Sequence, residues 1–391
     1  MTEKTPAHSV SILGSTGSVG TQTIDLLQAA PDRYRVVALV GGSNVDLLAK
    51  QARALRAQRA VIGDPAGYAA LRDALSGTGI EAACGEAAII EAAAMPADWT
   101  MAAITGAAGL APTLTAIRRG RIVALANKEA LVCAGPVMLR AIRDAGATLL
   151  PVDSEHNAIF QALDEKNRGT VERIVLTASG GPFLRSSRAD MEAATPEAAL
   201  RHPTWTMGAK ITIDSATMMN KGLEVIEAAR IFDMPEEQIG VLIHPQSVIH
   251  GLVCYHDGSM LAQMGSPDMR IPIAHTLAWP SRIATPSPRL DLAAVARLEF
   301  FEPDLDHFPA LRLARDALRA GGGAPTILNA ANEIAVAAFL QRRIGFLDIA
   351  GTVARVLDSM GTMSAGTLDE VIALDRDARR AAERFAAARA A

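Results

Sequence analysis

The chain is poor in cysteine, poor in aromatics and has no surplus of either charge. Only Cys84, Cys133 and Cys254 occur in 391 residues. They are odd in number and widely scattered, which excludes a disulfide framework and a thiolate metal site. Aromatics make up 4% of the chain, too few for the stacking platforms that hold single-stranded nucleic acid. Lysine and arginine total 38 against 42 acidic residues, a net charge of −4, without the basic stripe of a nucleic-acid partner. Long hydrophobic runs are also missing. The uncharged stretch Met101–Ile117 is interrupted by glycines, a proline and three threonines and reads as a buried strand with its loop, not a membrane span. Met1–His8 is polar and lacks the layout of a signal peptide, so a soluble, cytoplasmic protein is expected.

Lysine is scarce as well, at six against 32 arginines. Where arginine is the default cation, a lysine marks a place that needs a compact ammonium head. Lys128 and Lys221 fall in segments singled out below, although chance placement competes with that explanation.

The length exceeds the ~250–300 residues at which single cores stop growing, so two or three domains are expected. Through residue 150, short β-rich runs (Ser9–Leu13, Arg35–Val40, Ala60–Ile62, Thr100–Ile104, Ile122–Ala124 and Thr148–Leu150) alternate with helical patterns such as Thr21–Ala30, Val45–Ala57 and Ala66–Ala74. That rhythm predicts an α/β fold with a Rossmann-like, doubly wound parallel sheet over 1–150. Over 151–283 the texture is mixed, with strands expected at Arg173–Ala178, Lys210–Ile213, Gly240–Ile243 and Ile249–Tyr255, hence a central α+β domain. Pro280–Pro288 opens a linker over 284–310. The alanine-rich remainder, 311–391, predicts a C-terminal helical bundle whose last helix starts on the capping box Thr367-Leu368-Asp369-Glu370.

Gly14-Ser15-Thr16-Gly17-Ser18-Val19-Gly20 follows the first strand and opens a helix. Its glycines permit a tight turn, and the helix N-terminus offers N–H donors to a pyrophosphate. The spacing is G-x-x-G-x-x-G, and an ordinary glycine loop is the alternative. A nicotinamide enzyme that uses NAD places an acid after the second strand. Here Gly41-Gly42-Ser43-Asn44 holds none, and Ser43 and Asn44 can donate to a 2′-phosphate, which favours NADPH.

In Asp153-Ser154-Glu155-His156-Asn157, an extended backbone puts Asp153 and Glu155 on one face. Two such carboxylates repel unless a cation lies between them, and oxygen ligands suit Mg²⁺ or Mn²⁺; a solvated acidic pair is the alternative. Asp214–Glu224 is read as a helix with Ser215 at its N-cap. Asn220, Lys221 and Glu224 then share a face fit for a phosphate or polyol, or else form a plain surface Lys–Glu pair. Thr177–Pro182 ends in a Ser-Gly-Gly turn able to cradle an anion. His202-Pro203-Thr204-Trp205-Thr206-Met207-Gly208 has the makings of a lid. His244, His256 and His275 are read as structural; His250 is too, although it could sit near the site.

Taken in order, Gly14–Gly20, Ala126-Asn127-Lys128-Glu129, Val152–His156, Ser179–Phe183, His202–Gly208 and Asp214–Glu224 resemble the 1-deoxy-D-xylulose 5-phosphate reductoisomerase family. The likeness runs from about Ser9 to Pro280, and Ile327–Ala335 in the tail is similar too. The resemblance implies an NADP-dependent oxidoreductase and isomerase of the methylerythritol phosphate (MEP) route to isoprenoids, acting on a small phosphosugar as a homodimer with a divalent metal. It implies an NADPH-binding first domain, a catalytic second domain with flap, and a helical third. Asp153, Glu155 and Glu224 would hold the metal, with Lys128 and His202 also catalytic. Lys128, Ser154, Glu155, Ser179, His202, Trp205, Ser215, Asn220, Lys221 and Glu224 would contact substrate. Thr16, Gly17, Ser18, Val19, Gly42, Ser43, Asn44, Asn127, Glu129 and Gly208 would line the cofactor site. The chain departs from some members, which carry lysine where it has Ser43. Two other classes stay open on residues alone. One is a semialdehyde or homoserine dehydrogenase-like enzyme with Cys133 as reactive thiol; the other is a non-catalytic NADPH sensor.

Overall fold

The computed structural model describes residues 8–361 and 363–390; of the polar stretch Met1–His8, all but His8 lies outside the described residues. The chain forms two compact units. One comprises Met1–Ala130, Met138–Asp153 and Asp268–Ser287; the other comprises Leu131–Val137, Ser154–Pro267 and Pro288–Ala391.

In the first unit, His8–Leu13 (β1), Tyr34–Gly41 (β2), Arg59–Ile62 (β3), Glu81–Cys84 (β4), Trp99–Ala102 (β5), Ile122–Leu125 (β6) and Thr148–Pro151 (β7) form one sheet. Its order is β4-β3-β2-β1-β5-β6-β7 and every pair is parallel. Runs such as Arg35–Val40 are apolar on both faces because helices cover both sides of such a sheet. The chain leaves β1 toward β2 and later returns to β5 on the other side. The ends of β1 and β5 are therefore the point where an open α/β sheet makes its crevice. β4 carried no sequence signal: Glu-Ala-Ala-Cys has no β-branched residue and is a strand only because it pairs with β3. In the Met101–Ile117 stretch the strand stops at Ala102 and Leu110–Ile117 is helical.

The sequence reading kept 151–283 together, yet Asp268–Ser287 packs in the first unit. Its helix Arg270–Ala278 buries Ile273, Ala274 and Leu277 in the same core as Val10, Ile12 and Trp99. The Trp99 indole N–H also donates to the Thr276 carbonyl at 3.0 Å. Local texture cannot tell which core such a short helix will serve.

The second unit has a mixed sheet of Val171–Ala178 (β8), Ile239–Ile243 (β9), Ile249–Tyr255 (β10) and Met260–Met264 (β11), in the order β11-β10-β8-β9. β8 and β9 are parallel and the other pairs antiparallel. Lys210–Ile213, expected as a strand, is instead part of the helix Ala209–Ala216. Lys210 and Asp214 pair at i and i+4 as helix allows, but the larger effect is tertiary: Ile213 is buried in this unit's core and Asp214 bonds Asn332 of the tail, and together these outweigh the β-branched pattern. The tail helices Ala324–Leu340, Asp348–Met360 and Leu368–Ala390 share this unit's core, where Ala335, Phe339, Phe346 and Ile349 join Ile213, Val225 and Phe232. The expected capping box is present: Glu370 N–H donates to Thr367 Oγ1 at 3.3 Å, and Thr367 N–H to Glu370 at 3.1 Å. Among the described residues no helix is long and apolar enough to cross a membrane.

The helix Lys128–Ala145 is broken at Ala134 (φ −115°, ψ 23°), just before Gly135 and Pro136. Proline removes the N–H that would serve Val132. Arg230, from the helix Met219–Ile231, replaces it by donating to the carbonyls of Val132, at 2.7 Å, and Leu131. A side chain at Gly135 would strike that guanidinium group.

The glycine turn after β1 separates structural from open positions. Gly14 has φ +101°, and a Cβ on Gly20 would lie 2.1 Å from the Gly14 carbonyl oxygen, whereas one on Gly17 would meet only an ordinary 3.5 Å contact. Gly20→Ala is therefore expected to destabilise the chain by about 2–4 kcal/mol, and Gly17→Ala by less than about 1 kcal/mol. Urea midpoints of the two variants test this, and equal losses would contradict it.

Candidate active site

In the first unit, the glycine turn lies at the carboxyl end of β1. The N–H groups of Gly14 and Ser15 both donate to Val40 O on β2, at 2.9 and 2.7 Å, and Gln51 Nε2 donates to Ser15 O at 2.9 Å. These bonds fix the turn from below. Gly17 and Ser18 are exposed, with Thr16 and Val19 half-buried. No side chain caps the helix Ser18–Gln28, so its first N–H groups face outward, as anion binding requires. Gly42, Ser43 and Asn44 form the exposed loop after β2. Asn44 Oδ1 caps the helix Val45–Leu55 by accepting from Leu47 N–H at 3.1 Å, and a Cβ on Gly42 would touch nothing within 4 Å.

At the end of β6, Asn127, Lys128 and Glu129 are all buried. Lys128 Nζ pairs with Asp153, which follows β7, at 2.5 Å. Asp153 and Glu155 do not share the extended backbone expected from the sequence. Instead the strand ends at Pro151, and Ser154–Ala162 is a helix with Glu155 in its first turn, where a carboxylate meets the positive end of the helix dipole.

In the second unit, Glu155 and Glu224 approach one another, with carboxylate oxygens within 4.8 Å. Lys221 Nζ donates to Glu155 at 2.9 Å and also to Glu224. Asn220 Nδ2 donates to Glu224, and Ser154 Oγ to Glu155. Lys221 is 3% exposed and Glu224 fully buried. Burial alone would lower the Lys221 pKa, but the two carboxylates overcome it and hold the ammonium charged, above its ordinary value. The shared face of Asn220, Lys221 and Glu224 is as the spacing predicted. Ser215, however, is not an N-cap. It lies in the last turn of Ala209–Ala216, Met218 turns left-handed (φ 62°), and a new helix, Met219–Ile231, begins.

Ser179 and His202 also meet. The N–H groups of Thr204 and Trp205 donate to His202 Nδ1 at 3.1 and 2.9 Å, so the imidazole is neutral and its proton sits on Nε2. That proton donates to Ser179 Oγ at 2.9 Å, and Gly181 N–H donates to the same oxygen at 3.2 Å. With both lone pairs engaged, the Ser179 hydroxyl can act only as a donor to any further partner. Gly180 and Gly181 are left-handed (φ +84° and +67°), and a Cβ on Gly181 would lie 2.8 Å from Ser215 O; the Ser-Gly-Gly loop is thus packed on the helix end carrying Ser215. Trp205 and His250 are tilted neighbours, ring centroids 6.1 Å apart and planes at 60°. Burial pushes His250 down to about 4, so its ring is neutral. Gly208 is exposed in this unit, at the start of Ala209–Ala216.

The sequence reading missed the support beneath Glu224. His156 Nε2 donates to its carbonyl at 2.9 Å, and His156 Nδ1 faces the buried Glu227 at 3.3 Å. The signal was present, since Glu227 is i+3 from Glu224 on a helix. Cys133 is 4% exposed inside the broken helix, and its carbonyl accepts from Thr326; it is structural.

Burial lowers the His202 pKa below its ordinary 6.5. The neutral ring is the form the fold favours, so its contribution is full above pH 6.5 and is lost as pH falls through the lowered value. Acidification is expected to change the Trp205 emission, with no such change in Trp205→Phe and a flattened one in His202→Gln. An emission equally pH-dependent in His202→Gln would contradict the assignment.

Three family models match in sequence order. Residues 10–135 match 1-deoxy-D-xylulose 5-phosphate reductoisomerase, 149–232 its C-terminal domain model, and 264–381 a DXP reductoisomerase C-terminal domain. The chain is 64% identical over 375 residues to the 1-deoxy-D-xylulose 5-phosphate reductoisomerase of Gluconobacter oxydans, covering 96% of this chain and 92% of that one. It is 62% identical over 381 residues to that of Rhodospirillum centenum, covering 97% and 95%. Among solved structures, the Zymomonas mobilis enzyme in complex with NADPH superposes with a TM-score of 0.93 at 54% identity, covering 97% of this chain and 99% of that one. A reductoisomerase in complex with NADPH, fosmidomycin and magnesium gives 0.92 at 43%, covering 97% and 98%. With such identity along nearly its whole length, the chain belongs to the 1-deoxy-D-xylulose 5-phosphate reductoisomerase family.

Proposed function

We infer that the chain catalyses the NADPH-dependent conversion of 1-deoxy-D-xylulose 5-phosphate to 2-C-methyl-D-erythritol 4-phosphate, by rearranging the carbon skeleton and then reducing the resulting aldehyde. The Glu155–Lys221–Glu224 cluster, in a chain of this family, carries the reading. Carboxylates so close together, one of them fully buried, need positive charge, and their hard oxygen donors fit Mg²⁺ or Mn²⁺. Asp153, Glu155 and Glu224 are assigned as the metal ligands. The bound ion would supply Lewis-acid stabilisation of the oxyanions developed on both sides of the broken carbon–carbon bond.

The rest of the work falls to the chain's own groups. Lys128, buried and paired with Asp153, is a fixed cation for developing negative charge. Ser154 orients Glu155. With the carboxylates engaged, the Lys221 ammonium turns to the substrate phosphate together with Asn220, Ser215 and the hydroxyl of Ser179. His202 and Trp205 belong to the flap, and phosphate binding far from the reacting carbons supplies the energy to close it and exclude water. Thr16, Gly17, Ser18 and Val19 are assigned to the pyrophosphate, Gly42, Ser43 and Asn44 to the adenosine end, and Asn127, Glu129 and Gly208 to the rest of the cofactor, which would supply hydride. The division into an NADPH-binding region over 1–150, a catalytic region over 151–283, a linker over 284–310 and a supporting helical region over 311–391 is part of this proposal. So are a cytoplasmic location, consistent with cysteines that form no disulfide, and a homodimer. An edge strand β11 with Met260 and Leu261 about half exposed is the kind of surface a second copy covers.

Following NADPH absorbance with 1-deoxy-D-xylulose 5-phosphate tests the reading directly. Oxidation is expected only with the phosphosugar present and is abolished by a chelator; oxidation that survives chelation would overturn the metal assignment. Glu224→Gln is expected to lower kcat by at least about 100-fold with NADPH affinity nearly intact. Lys221→Ala should raise KM for the phosphosugar by about 10-fold or more, and an equal loss of NADPH binding would contradict its role. Ser43→Lys should leave NADPH binding unchanged or tighter, and a tenfold loss would misplace the 2′-phosphate.

A further inference from the structure

Asp214 stands immediately before Ser215 and is 1% exposed. Both of its carboxylate oxygens are engaged, each by a different part of the chain. Oδ2 takes Lys210 Nζ at 2.8 Å, from the first turn of the same helix and two residues after the flap ends at Gly208. Oδ1 takes Asn332 Nδ2 at 2.8 Å, from the tail helix Ala324–Leu340. Asn332 is fully buried and lies 118 residues away in sequence. It belongs to the stretch Ile327–Ala335, to which the catalytic assignments give no role.

We propose that Asn332 is a positioning residue for substrate phosphate, acting through Asp214 as a latch between the flap, the Ser215 helix and the tail. A carboxylate held at both oxygens cannot rotate, and a helix anchored at Asp214 has a fixed phase about its axis. Ser215 is the next residue, so that phase sets the direction of its hydroxyl. The same helix end receives the Ser-Gly-Gly loop, since a Cβ on Gly181 would lie 2.8 Å from Ser215 O, and the position of Ser179 therefore follows. Lys210 extends the latch toward the flap, so closure over the phosphate pulls on a point the tail helix already holds. A helix far along the chain thereby contributes to phosphate affinity without touching the ligand.

The proposal rests on the reading that Ser215 and Ser179 meet the substrate phosphate, and Ser215→Ala is the control for that reading. The measurements are KM for 1-deoxy-D-xylulose 5-phosphate, KM for NADPH and inhibition by inorganic phosphate, in Asn332→Ala, Lys210→Ala and the double variant. Each single variant is expected to raise the phosphosugar KM and the phosphate inhibition constant by about tenfold, with the NADPH KM within about twofold. Because both act through one carboxylate, the double variant should be little worse than the worse single one. Multiplying effects in the double variant, or an NADPH KM that rises in step, would overturn the latch. So would an unchanged phosphosugar KM in folded Asn332→Ala. If Asn332→Ala does not fold, Lys210→Ala, at a position only part-buried, decides the question by the same split between the two KM values. An unchanged KM in Ser215→Ala would instead overturn the underlying phosphate assignment.

Discussion

A fully buried carboxylate, Glu224, and a partly buried one, Glu155, share one buried ammonium in this protein, and the cluster is built around that shared charge. Glu224 has no solvent exposure and Lys221 almost none. An uncompensated charge at such depth would be destabilising by several kcal/mol, so Lys221, Glu155 and Glu224 must stay together. That requirement ties the helix after β7 to the helix that carries Asn220. It also explains why lysine stands there in an arginine-rich chain. A guanidinium group is a broad fork, whereas one ammonium can donate at short range to two carboxylates and still leave a third donor for a ligand.

The groups proposed to meet the substrate phosphate are directed by backbone geometry. Two successive left-handed glycines turn the chain after Ser179, and the N–H groups of Thr204 and Trp205 choose the His202 tautomer. The outcome is a serine whose acceptor capacity is filled from inside the protein, leaving its hydroxyl to act as a donor. Ser215 is reached by another route, from a helix held at Asp214 by Lys210 of its own first turn and by Asn332 of the tail helix.

Much of this was legible in sequence. The glycine turn, the alternating βαβ rhythm, the helical spacing of Asn220, Lys221 and Glu224 and the capping box at Thr367 all depend on contacts between near neighbours. The weaker readings were those in which a local pattern met a longer-range competitor. Lys210–Ile213 has the alternation of a strand but folds as helix, and Asp153–Glu155 spans the change from strand end to helix start. β4 has no strand-forming residues and exists through its partner alone.

The sequence by itself determined the α/β class with its parallel first sheet, the glycines that need left-handed or crowded backbone and the helical face shared by Asn220, Lys221 and Glu224, because these follow from steric and periodic rules acting over a few residues. Only the tertiary structure decided which charges share a burial site, which unit the helix Arg270–Ala278 joins, and that Arg230 replaces the hydrogen bond that Pro136 removes. Those outcomes depend on desolvation and packing between segments up to 177 residues apart. No local pattern encodes them, because the free energy of burying a polar group is set by whatever the rest of the chain brings beside it.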